Sequence, residues 1–149
     1  MMVHTVLAMM TAAVLIFAAD PVKTAVEGAP TAAQIIEKPK WKYLPGNEEL
    51  SCYFPQRALS LGRTSGEAAL DCVVDDRGWL HDCKTVQESP AKLSFGAAAS
   101  AVATKILVLE PADGDGQPVA GRRVAVTLKF NFKEAGSCAR FAKNQHAGG

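Results

Sequence analysis

Four cysteines are the residues of this chain with the clearest chemistry, and their spacing favours disulfide bonds over metal binding. Cys72 and Cys83 flank an acidic turn that ends in Gly78, as expected for a β-hairpin joined by a cross-strand disulfide. Four cysteines allow three pairings, and besides Cys72–Cys83 we favour Cys52–Cys138, which would tie the two ends of the domain together. Disulfides of this kind are typical of an oxidising compartment outside the cytosol.

Neither a metal site nor a catalytic site is predicted. No two cysteines lie two to four residues apart, and His81 precedes Cys83 at a spacing unsuited to structural zinc. The acidic stretch 113–116 lacks the later ligands of a calcium-binding loop. The three histidines are scattered, and their spacing suggests no triad with a serine and an acid: His4, His81 and His146. We therefore expect no enzyme activity and no cofactor.

Composition and charge are those of an ordinary globular protein. The chain has 149 residues, of which 48% are hydrophobic and 21% charged, and its net charge is +1. Phosphate binding usually leaves a surplus of basic residues, so a nucleic-acid partner is excluded. The length favours one domain with flanking segments.

The chain begins with an apolar segment that is typical of an export signal. Residues 1–19 contain no Asp, Glu, Lys or Arg, and Asp20 ends the apolar run. That run matches the hydrophobic region of a signal peptide and is shorter than the membrane-spanning minimum of about 20 residues. We expect export with cleavage after Ala19, and an uncleaved membrane anchor is the alternative.

The rest of the chain divides into a leader, one domain and a tail. Residues 20–40 mix Ala, Pro, Thr, Glu and Lys without periodicity, which predicts a flexible leader. The domain is expected over residues 41–133, and a C-terminal tail over residues 134–149.

Two helices are predicted within the domain. Residues 55–61 are expected to be helical, because Pro55 suits the first helical position and Gly62 follows the last. A second helix is expected over residues 95–107, with Ser94 as its N-cap. Its many alanines would let it lie close to a sheet.

Three strands are predicted, two of them in the hairpin at residues 67–74 and 79–86. Leu80 and Val86 are both assigned to the core, although pairing Cys72 with Cys83 places these two residues on the face of the strand opposite the cysteine. We therefore expect a β-bulge, at a position that the pattern leaves open. The last strand alternates most regularly, and its apolar face comprises Val124, Val126, Leu128, Phe130 and Phe132.

The order of these elements favours an α+β fold, a two-layer sandwich with both helices on one face of a three-stranded antiparallel sheet. A helical crossover that places the last strand beside the first gives the strand order 2-1-3. The last strand then lies at an edge, where its outer N–H and C=O groups are free to pair with another strand.

An ordered series of short motifs resembles the C-terminal domain of TonB-type energy transducers. Residues 54–58 are this chain's form of a Tyr-Pro-x-x-Ala motif, and Gly66 opens the first strand of the hairpin. Further matching pieces follow in the expected order: 76–78, 88–90, 95–98, 111–112 and 116–119. The chain is most similar to a branch of the family with a hairpin cysteine pair. Because it lacks a basic start and a long Pro-rich spacer, it resembles a stand-alone exported member.

The resemblance implies a periplasmic binding module that pairs its last strand with a protein or extended peptide, such as a segment of an outer-membrane receptor engaged in transmembrane transport. The partner-binding edge would then comprise Arg123, Val124, Ala125, Val126, Thr127, Leu128, Lys129 and Phe130. An edge-to-edge homodimer is a further use of the same strand. The alternatives are an energy transducer with an uncleaved anchor and an exported enzyme.

Overall fold

One hairpin and one helical crossover organise the chain. The structure, a computed structural model, describes residues 34–133 together with Cys138. Its elements are β1 (Trp41–Tyr43), α1 (Asn47–Ser51), α2 (Gln56–Ser60), β2 (Ser65–Val74), β3 (Leu80–Ser89), α3 (Phe95–Lys105), β4 (Val108–Leu109) and β5 (Arg123–Asn131).

The main sheet has the order β3-β2-β5, and β2 is antiparallel to both of its neighbours. The predicted α+β class and the predicted strand order are therefore confirmed. A second sheet of two strands pairs β1 with β4. Neither this sheet nor α1 is predicted from the sequence, because elements of two to five residues leave no periodicity to read.

The pairing of β2 with β3 shifts register twice, between Ala69 and Leu70 and between Asp71 and Val73. The expected bulge is thus present, and there are two of them. Leu80 is buried as expected, but the assignment of Val86 to the core is wrong, since 69% of it is exposed. Val86 lies at the first register shift, where the extra residue has no opposite number on β2.

The core lies on one face of the sheet. Even-numbered residues 68–74 of β2 and 124–130 of β5 are buried, and they join the buried faces of α2 and α3 in one cluster. Within it, the ring of Phe95 stands edge-on to Phe54 at 5.3 Å and lies 5.9 Å from Phe130. A Cβ atom at Gly66 would come within 2.2 Å of the Phe95 ring, so the packing requires glycine there.

The start of α3 is held by Glu88. The Gly96 N–H donates to Glu88 Oε2 at 2.8 Å, which satisfies one of the free amides of the first turn. Ser94 occupies the N-cap position but forms no side-chain cap, because its backbone is left-handed with φ 68°. The predicted serine cap is therefore replaced by a glutamate from the preceding strand.

The segment before β1 is attached to the start of β5. Ile36 is buried, and its N–H donates to the Arg123 carbonyl at 2.8 Å. The Gly114 N–H donates to the Lys38 carbonyl at 2.8 Å, and Arg122 donates to the Ile35 carbonyl at 3.1 Å. Packing therefore begins upstream of Trp41, within the predicted leader.

A buried carboxylate organises the loop that receives this segment. Asp113 Oδ1 accepts from the backbone N–H groups of Asp115 and Gln117, each at 2.9 Å. Asp113 Oδ2 accepts from Arg122 at 2.7 Å. The hydrogen bond from the Arg122 guanidinium lowers the pKa of Asp113, so this carboxyl remains ionised in the folded state at acidities where a free aspartic acid is protonated.

The predicted signal and most of the predicted tail lie outside the described residues. Within residues 34–133, no helix is long and apolar enough to cross a membrane.

Asp113→Asn should lower the free energy of unfolding at neutral pH. The difference in this free energy between the variant and the wild type, called the gap below, should become smaller in acid. The pKa of Asp113 is lower in the folded state than in the unfolded chain. The ionised carboxylate therefore stabilises the fold at a pH above the ordinary aspartate pKa of about 3.9, and this stabilisation is lost as the pH falls through the lower folded-state pKa. Urea unfolding at pH 7 and pH 3 measures the gap. The matched control is Asp115→Asn, whose ion pair with Lys38 is exposed and should contribute little. A gap that widens in acid would contradict the role given to Asp113.

Candidate functional site

The last strand combines a buried face with an outer edge that no described strand covers. All eight residues predicted for the binding edge, from Arg123 to Phe130, lie in β5. Val124, Val126, Leu128 and Phe130 are buried, whereas the residues between them face the open side of the sheet. β5 pairs with β2 on one side only.

Antiparallel geometry determines which backbone groups of β5 face that outer edge. The Val74 N–H donates to the Arg122 carbonyl and the Phe132 N–H donates to the Thr64 carbonyl, so even-numbered residues of this stretch bond to β2. The odd-numbered residues then turn their N–H and C=O groups outward. Among the described residues, none pairs with the outward backbone groups of Ala125, Thr127, Lys129 or Asn131.

The two outer strands of the main sheet differ in regularity. β5 pairs with β2 through nine successive residue pairs without a register shift. β3 carries two shifts, and Asp82 within it has a left-handed backbone with φ 48°. Bulges twist an edge away from a flat strand and hinder pairing with another chain. The β5 edge is therefore the better surface for strand addition.

The attached leader occupies one end of the β5 edge. Ile35 forms a parallel bridge with Arg123, and the Ile36 N–H takes up the Arg123 carbonyl. β5 has nine residues, and removing Arg123 and Val124 from them leaves seven, Ala125 to Asn131, as open edge.

Charged side chains on the open face of the sheet are unequally engaged. Arg123 Nε donates to Asp71 Oδ1 at 3.0 Å, and a second guanidinium N–H donates to Asp71 Oδ2. Lys129 stands directly opposite Glu67 in the register, yet the two form no ion pair. Within residues 34–133, Lys129 is thus the charge on β5 that remains unpaired.

A polar depression lies where β2, β3 and β5 meet at the end of the sheet nearest Lys129. It has a volume of about 410 Å³. Its charged and polar walls are formed by Arg63, Ser65, Glu67, Ser89, Lys129 and Asn131.

The four cysteines form two disulfides. Cys72 is bonded to Cys83 across the hairpin, and Cys52 to Cys138 over a sequence separation of 86 residues. These are the two pairs favoured from the sequence. The second bond follows Ser51, whose hydroxyl donates to the Lys133 carbonyl and accepts from the Lys133 N–H, each at 2.9 Å. Together these contacts fasten the chain just beyond β5 to the end of α1.

Other polar groups of the described chain form no reactive cluster. His81 contacts its neighbour Asp82 at 2.9 Å, and both side chains are largely exposed. No group of three or more His, Cys, Asp and Glu side chains within the described ranges could hold a metal ion.

Comparison with known proteins assigns the chain to a family. The family of the Gram-negative bacterial TonB protein C-terminal domain matches residues 51–133, more than half of the chain. The chain therefore belongs to the TonB C-terminal domain family. It is a family of non-enzymatic, periplasmic transducer domains with protein partners such as outer-membrane receptors. None of the curated proteins compared with the chain matches it.

Replacing Cys52 and Cys138 together by alanine should lower the free energy of unfolding by about 2–4 kcal/mol, since the bond closes a long loop in the unfolded chain. Urea unfolding of the oxidised proteins measures the loss. An unchanged unfolding midpoint would show that the bond does not stabilise the domain.

Proposed function

We propose that this protein is an exported, periplasmic binding module that captures an extended segment of a partner protein by adding it as a fourth strand at β5. The partner proposed is an outer-membrane receptor, and the segment is a stretch that has no strand partner before binding. The module itself carries no catalytic role.

The observation that carries the proposal is the alternation of backbone groups along β5. Four residues, Ala125, Thr127, Lys129 and Asn131, present outward N–H and C=O groups that no described residue uses. An added strand would satisfy these groups and extend the sheet from a strand that pairs with β2 without a register shift. Main-chain bonds would provide much of the affinity, and side chains on the two faces would provide selectivity.

Two further features agree with a periplasmic module. Two disulfides fit an oxidising compartment, and membership of the family supports a protein partner. A second copy of the chain is the other source of a strand for the same edge, which would give a homodimer through β5.

Thr127→Pro should weaken capture while preserving the fold. Proline lacks the N–H group, and the Thr127 N–H points to the free edge, so the substitution leaves the ladder to β2 intact. Binding is measured by NMR titration with N-terminal peptides of outer-membrane receptors from the same genome. A loss of at least about tenfold in affinity is expected, since the docked strand loses the bond from the Thr127 N–H and its carbonyl oxygen is left without a donor.

Thr127→Ala is the matched control, because it retains the N–H group and should bind as the wild type does. Equal binding by Thr127→Pro would contradict strand addition at β5. If the β5 edge serves a homodimer, the wild type instead shows a concentration-dependent mass in sedimentation that Thr127→Pro abolishes.

Ile36→Pro should lengthen the open edge. It removes the N–H that occupies the Arg123 carbonyl, so a docked strand gains two more residues of β5. We expect affinity for the wild type to rise with peptide length up to about seven residues and then level off.

In Ile36→Pro, the rise should continue to about nine residues. Ile36→Val retains the N–H group and should keep the shorter plateau. The same plateau in all three proteins would show that the leader does not limit the edge.

A further inference from the structure

The polar depression at the end of the sheet has the composition of a site for an anionic group. Two of the residues that line it are cationic, Arg63 and Lys129, and one is anionic, Glu67. Three neutral side chains that can donate hydrogen bonds also line it, namely Ser65, Ser89 and Asn131, and the rest of the lining is Gly66, Pro90 and Phe130. None of the three neutral donors forms a side-chain hydrogen bond with another residue in the described part of the chain, so their donors remain available.

The two cations are also unpaired. Neither Arg63 nor Lys129 has an ion-pair partner among residues 34–133. Arg123, the other cation of β5, already holds Asp71 through two hydrogen bonds. A negative charge arriving along the β5 edge would therefore meet an available cation at the Lys129 end and an occupied one at the Arg123 end.

The geometry of a docked strand also favours the Lys129 end of β5 as the place where an anionic side chain would bind. Residues directly opposite each other on neighbouring strands project to the same face of the sheet, and such strands lie about 4.8 Å apart. The residue that pairs with Lys129 would thus project onto the open face beside the depression. A carboxylate at that position would lie within reach of the Lys129 ammonium, which lines the depression.

We propose that the depression binds the carboxylate of an aspartate or glutamate in the segment docked on β5, and so fixes the register of that segment. The proposal rests on the function proposed above and adds the chemistry of the partner: an extended segment with one acidic side chain opposite Lys129. The leader at Arg123 bounds one end of the edge, and the depression recognises the other.

The competing explanation is that Lys129 only balances Glu67 across the strand pair. The two explanations predict opposite results for Glu67→Gln. If the depression binds a carboxylate, removing Glu67 removes a repulsion, and acidic peptides should bind more tightly. If Lys129 exists to pair with Glu67, the preference for acidic peptides should be absent in both proteins.

The test uses seven-residue peptides with blocked ends, in which a glutamate is moved through each position of an alternating Thr/Val sequence. The matched set carries glutamine at the same position. We expect one position at which glutamate binds about three to ten times more tightly than glutamine, in line with one or two exposed charge pairs. The preference should weaken in high salt and in Arg63→Gln, and disappear in Lys129→Gln.

Lys84→Gln is the control variant, since Lys84 is an exposed cation of β3 that does not line the depression. It should leave the preference unchanged. A peptide with a free C-terminal carboxylate distinguishes the other source of the same group. A preference for the free C-terminus only would overturn the assignment to an acidic side chain.

The result that overturns the carboxylate site is equal affinity for glutamate and glutamine at every position while β5 amides still shift. In that case strand addition stands and the proposed subsite fails. Absence of binding by every peptide, with no shift along β5, would overturn strand addition and the subsite with it.

Discussion

The central strand β2 is the constraint on which the rest of the structure depends. Each of its residues can direct its backbone N–H and C=O groups to one neighbour only, so the strand divides them between β3 and β5. Its even-numbered side chains are buried against the helices, whereas the odd-numbered ones lie on the open face. Because β5 has β2 on one side and no described strand on the other, the outward backbone groups of four of its nine residues are left for a partner.

The two edges of the sheet are protected to different degrees. β3 is interrupted by two register shifts and contacts α3, while β5 keeps one register over nine residue pairs. A protein that exposed two regular edges would risk pairing with other copies at both. Irregularity in β3 and regularity in β5 therefore direct strand pairing to one side of the sheet.

The sequence predicts the parts of this fold that depend on local pattern. Strict alternation from Val124 to Phe130 predicts the half-buried strand, and the element order predicts its place beside the first strand of the hairpin. The exposed position of Val86 was not predicted, because a bulge changes which face a residue occupies without changing its type. The role of Glu88 as the cap of α3 was also not predicted, because Glu88 lies in the preceding strand β3 and not at the start of the helix.

The limits of the edge depend on contacts between distant parts of the chain. Ile36 lies in a stretch without periodicity, and only the fold brings it to Arg123. Asp113 belongs to the acidic stretch 113–116, and its burial beside Arg122 is a tertiary contact. The depression beside Lys129 likewise draws residues from three strands and the turn after α2. Such sites have no signature in spacing, because their members are assembled by the sheet register.

The most direct test of the account is hydrogen exchange of the β5 amides, followed by NMR in the free protein and with a saturating partner peptide. We expect Val126, Leu128 and Phe130 to be protected in both states. Ala125, Thr127, Lys129 and Asn131 should exchange quickly in the free protein and become protected in the complex. If those four amides still exchange quickly at saturation, or if protection appears along β3 instead, the partner does not bind as a strand at β5.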